Sequence, residues 1–288
     1  MGYGDEIMAS AEARAMKRAN PDAKIVVGNG EHEIWHEIFA GNPNVTRLAD
    51  VCPRDRVLWL KNYFGRRPYL DYARSDPKYR QSFRPYRALP GDLFFSATEC
   101  DHADTVLREP RSHGKPLVSI EPNVDFGPNK DWGFLRWQQV VDVLKDRVTF
   151  VQPSYGKPLL SSVHALPSPT FRIFAAVLAG CELHMGPEGG LHHAAAAVRC
   201  PAVVVFGGRI HPDITGYAFH ENIYRDVPGS PCGMVAPCTH CRQCLDSIAV
   251  EDVVASACRL LDRQSPRRGE SCARTLSRQS TTRSVDLG

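Results

Sequence analysis

The sequence predicts an α/β fold of two parallel-sheet domains, and three observations carry this. At 288 residues, 43% hydrophobic and 23% charged, the chain has ordinary globular composition and a length suited to two domains. Across 116–206 short apolar runs alternate with helical patterns, the mark of parallel βαβ units. A helix followed by a strand already opens the chain.

The elements follow in order. Ile7, Met8, Ala11, Ala15 and Ala19 form a helical stripe over 5–19, ended by Asn20-Pro21. A strand over 24–27 is closed by Gly28-Asn29-Gly30, and a helix is expected over 31–40. Strands are expected at 57–60 and 93–96, with an irregular Pro-, Arg- and Tyr-rich stretch between them. A boundary near 110–116 divides an N-terminal domain, 1–112, from a C-terminal domain, 113–262. The second domain reads as strand 117–120, helix 132–144, strand 148–151, a loop-rich stretch 152–169, helix 171–179, strand 182–185, helix 190–198, strand 202–206 and helix 248–261. The tail, 263–288, holds Ser, Arg and Gly with almost no apolar content and is expected to be disordered.

Several function classes are excluded at this level. Basic residues number 35 against 32 acidic, net +3, and the tail from Arg263 carries +4 of that. A body near neutrality is no electrostatic nucleic-acid binder. No apolar run is long enough to span a bilayer. Ten scattered cysteines do not make a secreted disulfide framework. No leader precedes Gly2-Tyr3-Gly4-Asp5, so a cytoplasmic protein is expected, at most peripheral at the inner face of a membrane.

The most informative segment is Gly186-Pro187-Glu188-Gly189-Gly190-Leu191-His192-His193. A strand runs into a Gly-rich turn that opens an alanine helix. Exposed amides and the positive end of the helix dipole suit a phosphate there. Gly189 and Gly190 allow close approach, Glu188 suits sugar hydroxyls, and His193 suits a hydrogen bond donated to a phosphate. The same turn also serves plain packing, and a histidine at a helix start is often structural.

With Ala194-Ala195-Ala196 and Pro201-Ala202-Val203-Val204-Val205-Phe206-Gly207, this segment resembles the nucleotide-sugar motif of glycosyltransferase family 9, the ADP-heptose:lipopolysaccharide heptosyltransferases. Asn129-Lys130-Asp131-Trp132 with Arg136-Trp137 is similar to the family's Lys-x-Trp-Pro…Arg-Trp segment, and Gly4-Asp5-Glu6-Ile7 to its N-terminal Gly-Asp motif. The resemblance implies the GT-B fold, two Rossmann-like domains around a cleft. It implies an inverting transfer, with no metal needed for catalysis, from a nucleotide-diphosphate sugar to a hydroxyl of a saccharide or lipid-linked, lipopolysaccharide-type acceptor. It maps the general base onto Asp5, which otherwise reads as a helix cap. It maps a phosphate-neutralising role onto Lys130, otherwise a solvated loop lysine. Glu188, Gly189, Gly190, Leu191 and His193 would complete the donor site, with Lys157 as a further phosphate contact. Two departures stand out: Gly133 replaces the Pro after Trp132, and Gly189 a common Ser or Thr. The family's first strand should precede Gly4-Asp5, so the N-terminal sheet is expected to lack it.

Cys232, Cys238, Cys241 and Cys244 form C-x5-C-x2-C-x2-C with His240 inside. Such spacing fits a structural zinc, an iron–sulfur cluster, or cysteines left reduced or disulfide-paired. Between 59 and 87 crowd Trp59, Tyr63, Arg66, Arg67, Tyr69, Tyr72, Arg74, Lys78, Arg80, Arg84, Tyr86 and Arg87. That mixture suits an anionic saccharide, or an irregular solvated surface. Two other functions fit the same sequence: a non-catalytic nucleotide-sugar-binding protein, and a metal- or redox-responsive interaction protein built on the cysteines.

Overall fold

The computed structural model describes residues 2–63, 66–76, 79–124 and 127–263. The expected disordered tail, beyond Arg263, lies outside these residues, as does Lys78. No helix among the described residues is long and apolar enough to cross a membrane.

Helix α1 (Tyr3–Ala19) comes first, its buried face built from Ile7, Met8, Ala9, Ala11 and Ala13. Strands β1 (Lys24–Val27) and β2 (Val57–Leu60) form a two-stranded parallel sheet, Lys24 opposite Val57 and Val27 opposite Leu60. The edge of β1 away from β2 is met by loop amides. Thr46 N–H donates to the Ile25 carbonyl at 2.7 Å and Ile34 N–H to that of Val27 at 2.8 Å. These bonds replace the ladder that a further strand would supply.

Two expectations fail in this half. No α-helix forms over 31–40; only a 3-10 turn, Glu37–Phe39, appears. Asn29 Oδ1 accepts the amides of Glu31 and His32, and Ile34 serves β1, so the backbone groups a helix needs are committed elsewhere. Residues 93–96 pair with no strand. They lead into α2 (Ala97–Ser112), where Ser96 Oγ accepts Glu99 N–H at 3.2 Å and Glu99 reaches back to Ser96 N–H at 2.7 Å. This capping box starts a helix that the apolar run hid.

The second half is a six-stranded, all-parallel sheet. Its elements in chain order are β3 (Leu117–Ile120), α3 (Phe134–Leu144), β4 (Thr149–Ser154), β5 (His164–Pro167), α4 (Phe171–Leu178), β6 (Leu183–Pro187), α5 (Gly190–Ala197), β7 (Ala202–Val205), α6 (Pro212–Thr215), β8 (Glu221–Ile223), α7 (Thr239–Asp246) and α8 (Val250–Asp262). The sheet order is β5-β4-β3-β6-β7-β8, the doubly wound order whose direction reverses between β3 and β6. The helix expected from Trp132 begins at Phe134. Gly133 precedes it with φ +110° and donates its N–H to Asp131 Oδ1 at 2.9 Å. Proline can do neither, which accounts for one departure from the family pattern.

Helices cover both faces of this sheet, and strand residues alternate between two cores. Leu117 and Val204 face the core shared with α4, α5 and α1; Val118, Ile120, Val203 and Val205 face the one beneath α3 and α8. The amphipathic spacing is plain in α3 (Trp137, Val140, Val141, Leu144) and α8 (Val253, Ser256, Ala257, Leu260). The first core runs on into the N-terminal half through Ile7, Ile25, Phe39 and Tyr63.

Candidate active site

A cleft of about 1220 Å³ opens where the reversal point of the large sheet faces the start of α1. Its floor is set by strand ends. Glu121 and Asn123 follow β3; Pro187 ends β6, and Glu188, Gly189, Gly190 and Leu191 follow it; Arg209 and Ile210 follow β7. Its other wall carries Tyr3, Gly4, Asp5, His36, Arg67, Tyr69 and Gln81.

The walls touch. A Cβ on Gly4 would lie 2.5 Å from His193 Cδ2, and one on Gly190 would lie 3.4 Å from Tyr3 Cβ and 3.1 Å from Phe171. The first turns of α1 and α5 therefore abut because both carry glycine. Tyr3 stacks on Phe171 with ring centroids 4.0 Å apart and donates its hydroxyl to Glu37 at 2.8 Å.

Asp5 lies inside α1, not at its cap; Gly2 is the capping residue. Its carboxylate is buried and fully engaged. Oδ1 accepts the Tyr69 hydroxyl at 2.9 Å; Oδ2 accepts Arg67 Nε at 2.9 Å and Gly2 N–H at 3.3 Å. The expected cap role is thus met in part, within a site that also contains a cation.

Lys130 sits on a 3-10 turn, Pro128–Lys130, and ion-pairs with Glu188. Glu188 is 7% exposed. Burial alone would raise its carboxyl, but the Lys130 ammonium beside it holds it well below the usual carboxylate range. Lys130 is therefore no free solvated lysine.

The histidines divide the work of the turn. Gly189 N–H donates to His192 Nδ1 at 3.0 Å, so Nε2 carries the hydrogen and donates to the Thr215 carbonyl at 2.9 Å. The Gly189 amide is therefore used internally, and the amides of Gly190 and Leu191, first in the helix, have no intrahelical acceptor. His193 Nδ1 lies 2.6 Å from the Tyr217 hydroxyl. Burial, then the neighbouring His192, pushes the His193 imidazole well below its ordinary value, so it is neutral. Behind it His184 bonds Ser119 Oγ at 3.1 Å and is held down to about 3 by burial, then by His192.

Lys157 stands apart. It is exposed on the turn after β4 and is not among the residues lining the cleft. The cysteines divide as well. Cys232 Sγ lies 3.5 Å from Cys238 Sγ and 3.3 Å from Cys241 Sγ, and the three thiols are within 4.8 Å of one another. Cys244 turns away, donating to the Arg225 carbonyl at 2.9 Å. Three of the four expected metal ligands thus fit one ion.

Sequence reasoning missed Arg209, Glu121, Asn123, His36 and Tyr217, and did not single out Arg67 and Tyr69 from their basic-aromatic stretch. Glu121 and Asn123 were accessible in principle, as polar residues just past a buried strand at a reversal point. Nothing local marks Arg67 and Tyr69. Their stretch is not simply a solvated surface: Tyr63 is fully buried and bonds Glu12 and Tyr86, each at 3.1 Å.

No protein-family model and no curated protein matches the sequence. Solved structures do. A family 9 glycosyl transferase from Veillonella parvula superposes with a TM-score of 0.65 at 14% identity, over 92% of this chain and 96% of that one. The iron-containing dodecameric glycosyltransferase TibC from enterotoxigenic E. coli gives 0.60 at 15% identity, over 91% and 74%. The E. coli heptosyltransferase WaaC with ADP gives 0.50 at 14% identity, over 91% and 96%. The chain therefore has the GT-B fold of these glycosyltransferases.

Proposed function

We propose that this chain is a glycosyltransferase that moves a sugar from a nucleotide-diphosphate donor to a hydroxyl of a saccharide or lipid-linked acceptor. One observation carries the reading: a buried carboxylate, Asp5, and a helix-start cradle, Lys130 with Glu188 and the α5 amides, face one cleft at the reversal point of the sheet. The family resemblance of those residues and the shared fold support it.

In this reading Asp5 takes the proton from the acceptor hydroxyl, whose oxygen attacks the anomeric carbon. The bond from that carbon to the diphosphate oxygen breaks, giving inversion. The leaving diphosphate meets the Gly190 and Leu191 amides, Lys130 and the His193 Nε2–H that remains when Tyr217 donates to Nδ1. Arg67 and Tyr69 hold and aim the Asp5 carboxylate through their hydrogen bonds. Tyr155, exposed at the cleft edge, offers its ring face to the nucleobase. These steps use side chains and amides and ask no Lewis acid of a metal. The acceptor would be met at the inner face of a membrane.

The test is thermal stability with ADP, UDP, GDP and CDP, each with and without EDTA. One nucleotide is expected to raise Tm by mass action, without dependence on EDTA. Lys130→Met should abolish that shift. Asp5→Asn should keep it and lose about 100-fold or more in turnover. No shift with any of the four would overturn the reading. The engagement of Asp5 by Arg67 favours one second reading, a nucleotide-sugar binder without turnover. Donor binding with no product in the presence of acceptor extract would select it.

A further inference from the structure

Outside the cleft, two histidines from different elements converge on one carboxylate. Glu109 lies on the last turn of α2, and His113, the C-cap, still has helical backbone, with φ −69° and ψ −12°. Residues four apart share a helix face, and Glu109 Oε1 lies 3.0 Å from His113 Nε2. The third group comes from the sheet. His164 opens the edge strand β5, where it pairs with Val151 of β4, and its Nδ1 lies 2.9 Å from Glu109 Oε2. The two imidazole centroids are 5.0 Å apart. None of the three residues lines the cleft. The elements that carry them set the meeting. α2 and β5 run side by side in opposite directions: His102 Nε2 lies 3.2 Å from the Pro167 carbonyl at one end, and Glu109 meets His164 at the other. The seven residues from 102 to 109 rise about 10.5 Å along a helix. The three from 164 to 167 advance about 10 Å along a strand, so both contacts hold at once.

We propose that Glu109, His113 and His164 form a three-ligand site for one divalent transition ion of the zinc class, which pins the last turn of α2 to the edge strand β5. One donor atom from each residue lies within 4.8 Å of the other two. Around an ion with bonds of about 2.0–2.1 Å, neighbouring donors stand about 2.9–3.4 Å apart. The two carboxylate–imidazole separations, 3.0 and 2.9 Å, already fall there. The Glu109 side chain is 67% exposed, and ion pairs so open to water hold little by themselves. A bound ion changes that, because it replaces two screened contacts with three coordinate bonds. Coordination through His113 Nε2 and His164 Nδ1 uses their lone pairs, so each ring then carries its hydrogen on the other nitrogen. Two imidazoles and one carboxylate suit zinc, cobalt or nickel; magnesium and calcium take oxygen donors instead. The open side of the site admits water to complete the shell. The site stands apart from the cleft and does not rest on the glycosyl-transfer reading.

The test is calorimetric titration of the full chain with zinc, after chelator has been used and dialysed away. The parent is expected to bind one equivalent more than His113→Ala or His164→Ala, and Glu109→Gln should weaken that equivalent by at least about tenfold. His102→Ala, which removes the next histidine of α2, should keep it. Zinc taken by the cysteines is common to all these chains and cancels in the differences. Magnesium and calcium should give no difference between parent and variants. Imidazole NMR reads the ligands directly: zinc should move the ring signal that His113→Ala lacks and the one that His164→Ala lacks. Equal zinc uptake by the parent and all three variants, or neither signal moving, would overturn the site. Loss in one histidine variant alone would reveal a single surface imidazole and overturn the ligand set. The pin is read by melting. Without metal, the three variants should melt within about 2 °C of the parent, since the side chains are at the surface. Zinc in large excess should raise the parent Tm by about 3 °C or more beyond any rise in the variants. Zinc bound at this site with no such difference in Tm would overturn the pin.

Discussion

Asp5 and Glu6 are adjacent carboxylates on the first turn of α1, and their surroundings differ in kind. Asp5 meets Arg67, the Tyr69 hydroxyl and the Gly2 amide. Glu6 is 2% exposed, and its Oε2 accepts no hydrogen bond among the described residues. Burial, with Asp5 adding to it, pushes the Glu6 carboxyl up from 4.5 to about 7. A raised acid makes the folded chain hold a proton that the unfolded chain has released between those two values. Stability therefore falls as pH rises from 4.5 to about 7 and stays low above that. Glu6→Gln mimics the protonated form. It should leave stability unchanged at pH 4 and raise it by roughly 2–3 kcal/mol at pH 8. Denaturant melts at the two pH values check this, and parallel curves for parent and variant at both would sink it.

Elements add what single residues do not, namely how closely two of them approach. α1 and α5 meet at Gly4 and His193. Alanine is ordinarily the better helix residue, by about 1 kcal/mol, yet a Cβ at Gly4 would lie 2.5 Å from the imidazole. Packing wins: Gly4→Ala should destabilise by roughly 1–3 kcal/mol and weaken nucleotide binding by displacing His193. A Tm at or above that of the parent would show that the helices are not in contact. The same turn was legible in the sequence because its chemistry is local: a strand, glycines and an alanine helix follow one another within 186–197. α3 and α8 were legible because their buried residues recur at helical spacing. α2 was not, because Leu93, Phe94 and Phe95 looked like a strand; the Ser96–Glu99 box that starts the helix was a signal left unread. β5 and β8 are short edge strands of mixed burial, set by the neighbour they pair with. The Asp5–Arg67–Tyr69 group was not legible for a different reason. It joins residues more than 60 positions apart through a stretch without period, so only the tertiary fold brings them together.

At the scale of the molecule, the two halves are not separate bodies. One apolar core runs from Ile7, Ile25 and Phe39 through Ala194–Ala197 to Val204. Arg172, 5% exposed at the start of α4, fastens its rim. Its Nε and Nη2 donate to both Glu99 carboxylate oxygens at 2.6 and 2.8 Å. Nη1 reaches the Glu37 carbonyl at 3.0 Å and Nη2 that of Phe94 at 2.6 Å. One guanidinium thus joins α4, the cap of α2 and two loops of the N-terminal half. Glu37 in turn holds Tyr3, which stacks on Phe171 beside the cleft. A shared core makes opening of one half costly to the other, so calorimetry should show one transition whose calorimetric and van't Hoff enthalpies agree. Arg172→Met keeps the aliphatic bulk but leaves a partly buried carboxylate and two carbonyls without their cation. Loss of one partner from a buried pair costs about 3–5 kcal/mol, and partial exposure of Glu99 puts this case near the lower end. Tm should fall by roughly 5–10 °C while the transition stays single. Two resolved transitions, in the parent or the variant, would show instead that the halves fold independently and that the cleft between them is hinged.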